Sequence, residues 1–347
     1  MNRLFVILTT LVLWVSCTEK KVRKPSSNPF TTEVLLKTTP VKNQGTSTLC
    51  WAYAMLATIE TNRLMQGDSV HLSPFYAGRM LLEEQAQRYY LTQGKQKVST
   101  RGMSTALLHL IEQYGMLAYD TYPDKSDVSI AAVERQVMKQ ADMAMAYKKG
   151  LQALQTNVSD LLDSSMGFKP RYQFMGGAEY TVQQFGRSVY RPGDYVPITS
   201  WTHQPFGKPM VLETPDNHYL DSYLNLPIDS MMSLIEGSIR KGYAVCWEGD
   251  ISEKGFSFQQ GVAILKPHPQ TITQETRQHL YEQLQTTDDH CMAVIGLARS
   301  KKGKKYFILK NSWGTNNAFG GLLYMSYDYM KLKTLCVILH QAAFKNI

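Results

Sequence analysis

Val41-Lys42-Asn43-Gln44-Gly45-Thr46-Ser47-Thr48-Leu49-Cys50-Trp51-Ala52-Tyr53-Ala54 is the stretch on which the reading of this chain turns. Asn43-Gln44-Gly45 is a turn signal. From Cys50 to Arg63 the chain is rich in Ala, Leu and Met, without Pro or Gly. It is apolar nearly all round as far as Ile59, which predicts a helix buried on every side, with a cysteine as its first residue. Thr46, Ser47 and Thr48 offer side-chain oxygens to cap it, and Gly67-Asp68 stops it. Free N–H groups and the helix dipole place partial positive charge at a sulfur in that position. That favours thiolate over thiol, and thiolate is the nucleophile.

A nucleophilic cysteine needs a base, and the base needs to be oriented. The C-terminal third supplies candidates for both. Asp288-Asp289-His290 leads into Cys291-Met292-Ala293-Val294-Ile295-Gly296, which has strand character, so His290 shares a face with Met292 and Val294. Ser300 to Lys305 predicts a charged hairpin turn. Tyr306-Phe307-Ile308-Leu309 is the return strand, closed by Lys310-Asn311-Ser312-Trp313-Gly314. Hairpin pairing would bring His290 at one strand's start beside Asn311 at the other's end. The His can then take the thiol proton and return it to a leaving amine, and the Asn carbonyl can orient the ring.

Asn43-Gln44-Gly45 through Cys50-Trp51-Ala52, followed by Asp289-His290 and Asn311-Ser312-Trp313-Gly314, resembles the papain-type (C1) cysteine peptidases. The resemblance implies Cys50 as nucleophile, His290 as base, Asn311 as its orienting partner, and Gln44 with the Cys50 N–H as an oxyanion hole. Trp313 would shield the His–Asn bond and line the substrate cleft. Gly102, in Thr100-Arg101-Gly102-Met103-Ser104, would pair its backbone with substrate, and glycine suits so close an approach. Leu72-Ser73-Pro74 and the run Ile111 to Met116 with Thr121-Tyr122-Pro123 also look papain-like. The succession as a whole is similar to bleomycin hydrolase and the bacterial aminopeptidase C group, which add a helical insertion.

The fold class expected is therefore α+β. A helical lobe would pack on an antiparallel, barrel-like lobe, with a helical insertion at about 125–192. Ser73 and Pro74 start a helix over Phe75 to Tyr90, Thr105 to Tyr114 forms another, and Val128 to Asp163 is helical but broken near Gly150. A short helix is expected over Tyr180 to Tyr190 and another over Ser230 to Lys241. Strands are expected from Asp194, at Tyr243 to Trp247, at Leu322 to Ser326 and at Leu335 to Leu339. Residues 38–347 form the peptidase-like domain on this reading. The residues after Leu339, His340 to Ile347, span at most about 28 Å when extended. That is short for a tail running back through a whole cleft.

The chain has 347 residues, 44% of them hydrophobic, enough for a full core, and a net charge of +8 without a long basic run. The charge fits a solvated surface and not a nucleic-acid partner. Arg3 and the apolar run Leu4 to Val15 have the form of a secretory h-region. Ser16-Cys17 resembles a bacterial lipoprotein cleavage site. Expected, then, are a signal peptide at 1–16, lipid on Cys17, a polar tether over 17–37, and an exported, membrane-anchored protein. With Cys17 and Cys50 set aside, Cys246, Cys291 and Cys336 remain, an odd number that argues against a disulfide framework. No motif calls for a metal or cofactor. The expected partner is a peptide or protein substrate. Two other functions would use the same residues: a non-catalytic peptide-binding surface protein, and an amidase or acyltransferase with the same triad.

Overall fold

The structure, a computed structural model, describes residues 28–267 and 271–344. Strand β1 (Phe30–Leu35) is followed by helices α1 (Cys50–Met65), α2 (Pro74–Leu91), α3 (Ser104–Tyr114), α4 (Ile130–Ala146) and α5 (Leu151–Met166). A small hairpin, β2 (Tyr172–Met175) and β3 (Ala178–Thr181), leads into α6 (Val182–Val189). Next come β4 (Tyr195–Thr199), β5 (Pro209–Val211), β6 (Ser222–Asn225), α7 (Ile228–Arg240), β7 (Val245–Gly249), β8 (Phe256–Ser257) and β9 (Val262–Ala263). The chain continues through α8 (Gln274–Glu282), β10 (His290–Ser300), β11 (Lys305–Lys310), β12 (Leu322–Ser326), α9 (Tyr327–Lys333) and β13 (Thr334–His340). The large sheet runs β5-β6-β4-β13-β7-β10-β11-β12-β9-β8, with β1 on the distal half of β10. This is the expected α+β class. Among the described residues no helix is long and apolar enough to cross a membrane.

Helix α1 is the hinge of the architecture. Every residue from Trp51 to Asn62 is buried, because helices pack on one side and β10 on the other. Its polar residues survive there because each finds a partner, as buried polar groups must. Asn62 donates to the Tyr195 hydroxyl at 3.1 Å and accepts the Ala244 N–H at 2.7 Å, so it ties the helix to β4 and to the residue just before β7. Glu60 accepts from the Lys42 ammonium at 2.6 Å, from the Leu72 N–H at 2.7 Å and from the Thr39 hydroxyl. Lys310, at the end of β11, donates to the Thr39 carbonyl at 2.8 Å. Residues 38–42 are thus clamped between α1 and the sheet, and the loop bearing Gln44 starts from a fixed point.

Helices α4 and α5 form the core of the insertion. Ile130, Val133, Val137, Ala141 and Ala144 make the buried stripe of α4, and Leu154, Val158, Leu162 and Met166 that of α5. This spacing lays one face of each helix on α2. Gly150 takes φ +83° between them, the left-handed conformation that a sharp reversal requires. The fully buried Arg79 of α2 reaches Asp163 at 2.7 Å and the Gly167 carbonyl at 2.6 Å, which fastens the insertion to the lobe.

Two expectations change, and one element is new. None of Thr46, Ser47 and Thr48 caps α1; Leu49 is the N-cap and makes no side-chain bond. The Ser47 hydroxyl donates to the Gln44 carbonyl instead, and Thr48 pairs with Thr100. The expected tether over 17–37 is too long: Phe30–Leu35 is a strand, antiparallel to β10 from Phe30↔Ser300 to Leu35↔Gly296. Its half-exposed, polar-flanked pattern hides it, since one face meets solvent. Helix α9 was not anticipated; Ser326 caps it through the Tyr329 N–H. The described cysteines Cys50, Cys246, Cys291 and Cys336 are all free. Cys17 lies outside the described residues.

Candidate active site

The cleft forms where the N-terminus of α1 meets the start of β10. Gln44, Ser47, Thr48, Cys50, Arg101, Gly102, Asp216, Asp288, Asp289, His290, Cys291 and Trp313 line it. Cys50 is the first residue of α1 and is half-buried. As the first N–H of the helix, that of Cys50 has no intrahelical acceptor.

His290 opens β10 and Asn311 follows β11. The β10–β11 pairing, with Ala293 opposite Lys310, brings them together across the hairpin. The His290 Nε2–H donates to Asn311 Oδ1 at 2.7 Å, and both side chains are buried. This leaves Nδ1 as the ring nitrogen free to serve Cys50. Asn311 Oδ1 also accepts the Ser312 N–H at 2.8 Å, so the acceptor is itself held in place. The Trp313 ring lies over His290 with centroids 4.5 Å apart, and Phe256 and Phe258 buttress its edges.

The Gln44 side chain is fixed at both ends of its amide. Oε1 accepts the Ser312 hydroxyl at 2.6 Å, and Nε2 donates one hydrogen to the Ser47 carbonyl at 2.7 Å. An amide nitrogen carries two hydrogens, so one remains to donate. The Gln44 backbone N–H bonds the Ser312 carbonyl at 2.8 Å, and the Gly314 N–H bonds the Lys42 carbonyl at 3.1 Å. Thus the Gln44 loop and the segment after Asn311 are laced together. Ser312 joins the base's orienting partner to Gln44, a link that sequence reading did not attach to it.

The Cys50 thiol is held well below its ordinary range. The Cys291 thiol beside it contributes most, by hydrogen bonding; burial opposes, and a hydrogen bond and charge from His290 assist. Burial, chiefly, pushes the Cys291 thiol well up, so it keeps its proton and acts as the donor. Of the two sulfurs only Cys50 therefore has thiolate character.

Gly102 lies in the cleft wall, and its lack of a side chain serves packing as well. A Cβ there would meet the Trp51 indole at 3.3 Å. Trp51 Nε1 donates to the Thr100 carbonyl at 3.0 Å, and Glu134 of α4 accepts from the Thr100 N–H at 2.9 Å. The insertion thus steadies the loop before Gly102. Arg101 spans the cleft wall by pairing with Asp216, its Nε within 2.8 Å of Oδ2, and by donating to the Asp288 carbonyl at 3.2 Å. All the residues expected at the site come together here; Cys291, Ser312, Arg101, Asp216 and Asp288 are additional. Among the described residues no group of His, Cys, Asp and Glu side chains is arranged to hold a metal.

Residues 189–346 match the Peptidase C1-like family, a segment that includes His290 and Asn311. The matched segment is a little under half of the chain, and it likens that part of the chain to the C1-type peptidases. The fold carries Cys50 and Gln44, which lie before that segment, onto the same cleft. The senescence-specific cysteine protease SAG12 of Arabidopsis thaliana is 28% identical over 131 residues, which cover 37% of this chain and 32% of that protein. The match therefore spans about a third of the curated relative's length. The crystal structure of PepW from Lactobacillus rhamnosis HN001 superposes with a TM-score of 0.71 at 18% identity, over 90% of this chain and 82% of that one. A likeness of that kind is one of fold.

Proposed function

We propose that this papain-like protein is a cysteine peptidase that hydrolyses peptide bonds through Cys50, His290 and Asn311, in the manner of the bleomycin hydrolase and aminopeptidase C group. The observation that carries the reading is the thiol at an uncapped helix start, facing an imidazole whose far nitrogen is bonded to Asn311 at 2.7 Å. Cys50 Sγ attacks the scissile carbonyl, and the carbonyl oxygen takes up negative charge. The Cys50 N–H and the free Gln44 N–H meet that charge. His290 gives its proton to the leaving amine, which departs and leaves a thioester on Cys50. Water, deprotonated by His290, then releases the acid.

Gln44→Ala is expected to lower kcat by roughly 10- to 1000-fold with little change in KM, because its amide meets charge present only in the transition state. Steady-state kinetics decide this, and an effect confined to KM would contradict the role.

The reading also predicts that peptides with blocked N-termini are cut. Thr334 pairs with Gly249, and Gly249 with His290, so β13 begins level with the base. The strand then runs away from it for about 20 Å to His340. There the Ala343 carbonyl accepts from Lys241, just past the end of α7. The described C-terminal residues, up to Phe344, thus stay away from the cleft. A mixed peptide library offered in acetylated and free forms tests both points. Cleavage of the acetylated set is expected. Cleavage of free amines alone would make the protein an aminopeptidase, and no cleavage of either set would sink the peptidase reading.

We further propose export and lipid attachment at Cys17, supported by Arg3, the apolar run to Val15 and Ser16-Cys17. Mass spectrometry of the mature N-terminal peptide should find Cys17 first and acylated; any other unmodified first residue overturns it.

A further inference from the structure

We infer that Asp288, backed by Glu248, forms a subsite in the cleft for a positively charged nitrogen of the substrate, an ammonium or a guanidinium. The inference rests on the peptidase reading and adds the substrate's chemistry to it.

The sheet register places the subsite. Glu248 of β7 lies opposite Cys291 of β10 on one side and Cys336 of β13 on the other, so the three side chains form a row on one face. Directly opposed residues in such pairs have Cβ atoms about 5 Å apart. Cys291 is a cleft residue in contact with the Cys50 thiol, so Glu248 sits one strand from the nucleophile. Asp288, two residues before His290, lines the cleft above that row.

The hydrogen bonds leave both carboxyl groups incomplete. Glu248 is 1% exposed. Its Oε2 accepts the Ser104 N–H at 3.2 Å and the Cys336 thiol at 3.8 Å, while its buried Oε1 has no donor among protein N–H and hydroxyl groups. Asp288 Oδ2 is also buried and without such a donor. The two carboxyls bond each other, which requires a proton between them. The remaining acids nearby are accounted for. Asp216 is taken by Arg101, and Asp289 accepts from the Thr287 hydroxyl at 2.8 Å and the Ile251 N–H at 3.1 Å.

One proton for two carboxyls fixes the charge. Burial first, then the neighbouring Asp288 charge, keeps Glu248 protonated well above the usual carboxylate range. Burial, then the charge of Asp216, raises Asp288 to about 7. The groups facing Asp288 are Glu248 on β7, Asp216 and Arg101 on the flanking loops, and Cys50 at the start of α1. Arg101 is the one cation among them, and Asp216 holds its guanidinium. Above pH 7 the pair therefore carries one negative charge facing the cleft without a cation of its own. A substrate ammonium or guanidinium supplies the missing countercharge and can donate to the Asp288 carboxylate from the cleft. Below pH 7 Asp288 takes a proton, and the attraction is lost.

Binding tests this without turnover. The Cys50→Ala protein is titrated calorimetrically with acetylated peptides carrying Lys, Arg, norleucine or Glu at one position at a time, and with neutral peptides bearing a free N-terminus. At pH 8 the peptides with a positive charge should bind about tenfold or more tightly than their neutral counterparts. The advantage should shrink towards unity by pH 5.5, and Asp288→Asn should erase it. Preference among the acetylated set assigns the cation to a side chain, and preference only for free termini assigns it to the α-amine. Equal or tighter binding of the neutral and Glu peptides at pH 8 overturns the inference, as does a preference that survives in a folded Asp288→Asn protein. Should that variant misfold, the pH series on the Cys50→Ala protein decides: a preference unchanged between pH 5.5 and 8 overturns it. Because no bond is cleaved, failure here is separate from failure of the peptidase reading, which the library cleavage decides.

Discussion

Cys50→Ala should remove peptide hydrolysis, lowering kcat by about a million-fold, the scale on which loss of a catalytic nucleophile acts. The fold should persist. Cys50 is the first residue of α1, where alanine is a good helix former, and the change adds no volume to a half-buried site. The nearby thiol offers no rescue. Cys291 is buried, and its thiol is pushed well above the usual range, so it stays protonated and a poor nucleophile. Circular dichroism and a thermal midpoint within a few degrees of the wild type would show that the loss is chemical. Turnover near the wild-type rate in a verified Cys50→Ala protein would refute the mechanism.

The second large effect belongs to His290. His290→Ala should lower kcat by about ten-thousand-fold or more, because the ring both helps lower the Cys50 thiol and protonates the leaving amine. Removing it leaves Asn311 Oδ1 with the Ser312 N–H alone. Asn311→Ala should be milder, about 10- to 100-fold, since the reacting groups remain and only the ring's orientation is lost. It should also weaken the hold on Gln44, because Ser312 bonds both. A double substitution of Asn311 and Gln44 should then cost less than the product of the two single effects. Full additivity would show that the two sides of the cleft act independently.

What could be read in the sequence was local. The helix starting at Cys50 was legible because an unbroken apolar run of its length has few other uses, and the β10–β11 hairpin because a charged turn divides two apolar runs. The site residues followed from spacing within those elements and from family likeness. What could not be read depended on distant pairing. Thr46, Ser47 and Thr48 have the chemistry of caps, yet Ser47 and Thr48 have their hydroxyls drawn to Gln44 and Thr100, and Thr100 is far along the chain. Phe30–Leu35 carries too few apolar residues to announce a strand, and only the edge of β10 makes it one. Glu248 did leave a trace, as a lone acid at the end of the apolar run Val245 to Trp247. Its meaning required the register that sets it opposite Cys291 and beneath Asp288. Arg101 and Asp216 meet across 115 positions of sequence, which no local pattern encodes.

The central claim is that Cys50 alone among the described cysteines is an activated nucleophile. Brief treatment of the native protein at neutral pH with an epoxysuccinyl peptide, followed by peptide mapping, tests it most directly. The account predicts one equivalent of label, on Cys50, with Cys246, Cys291 and Cys336 unmodified and the label absent from His290→Ala on the same timescale. Labelling of Cys291 in preference to Cys50, or a Cys50 no more reactive than free cysteine in solution, would contradict it.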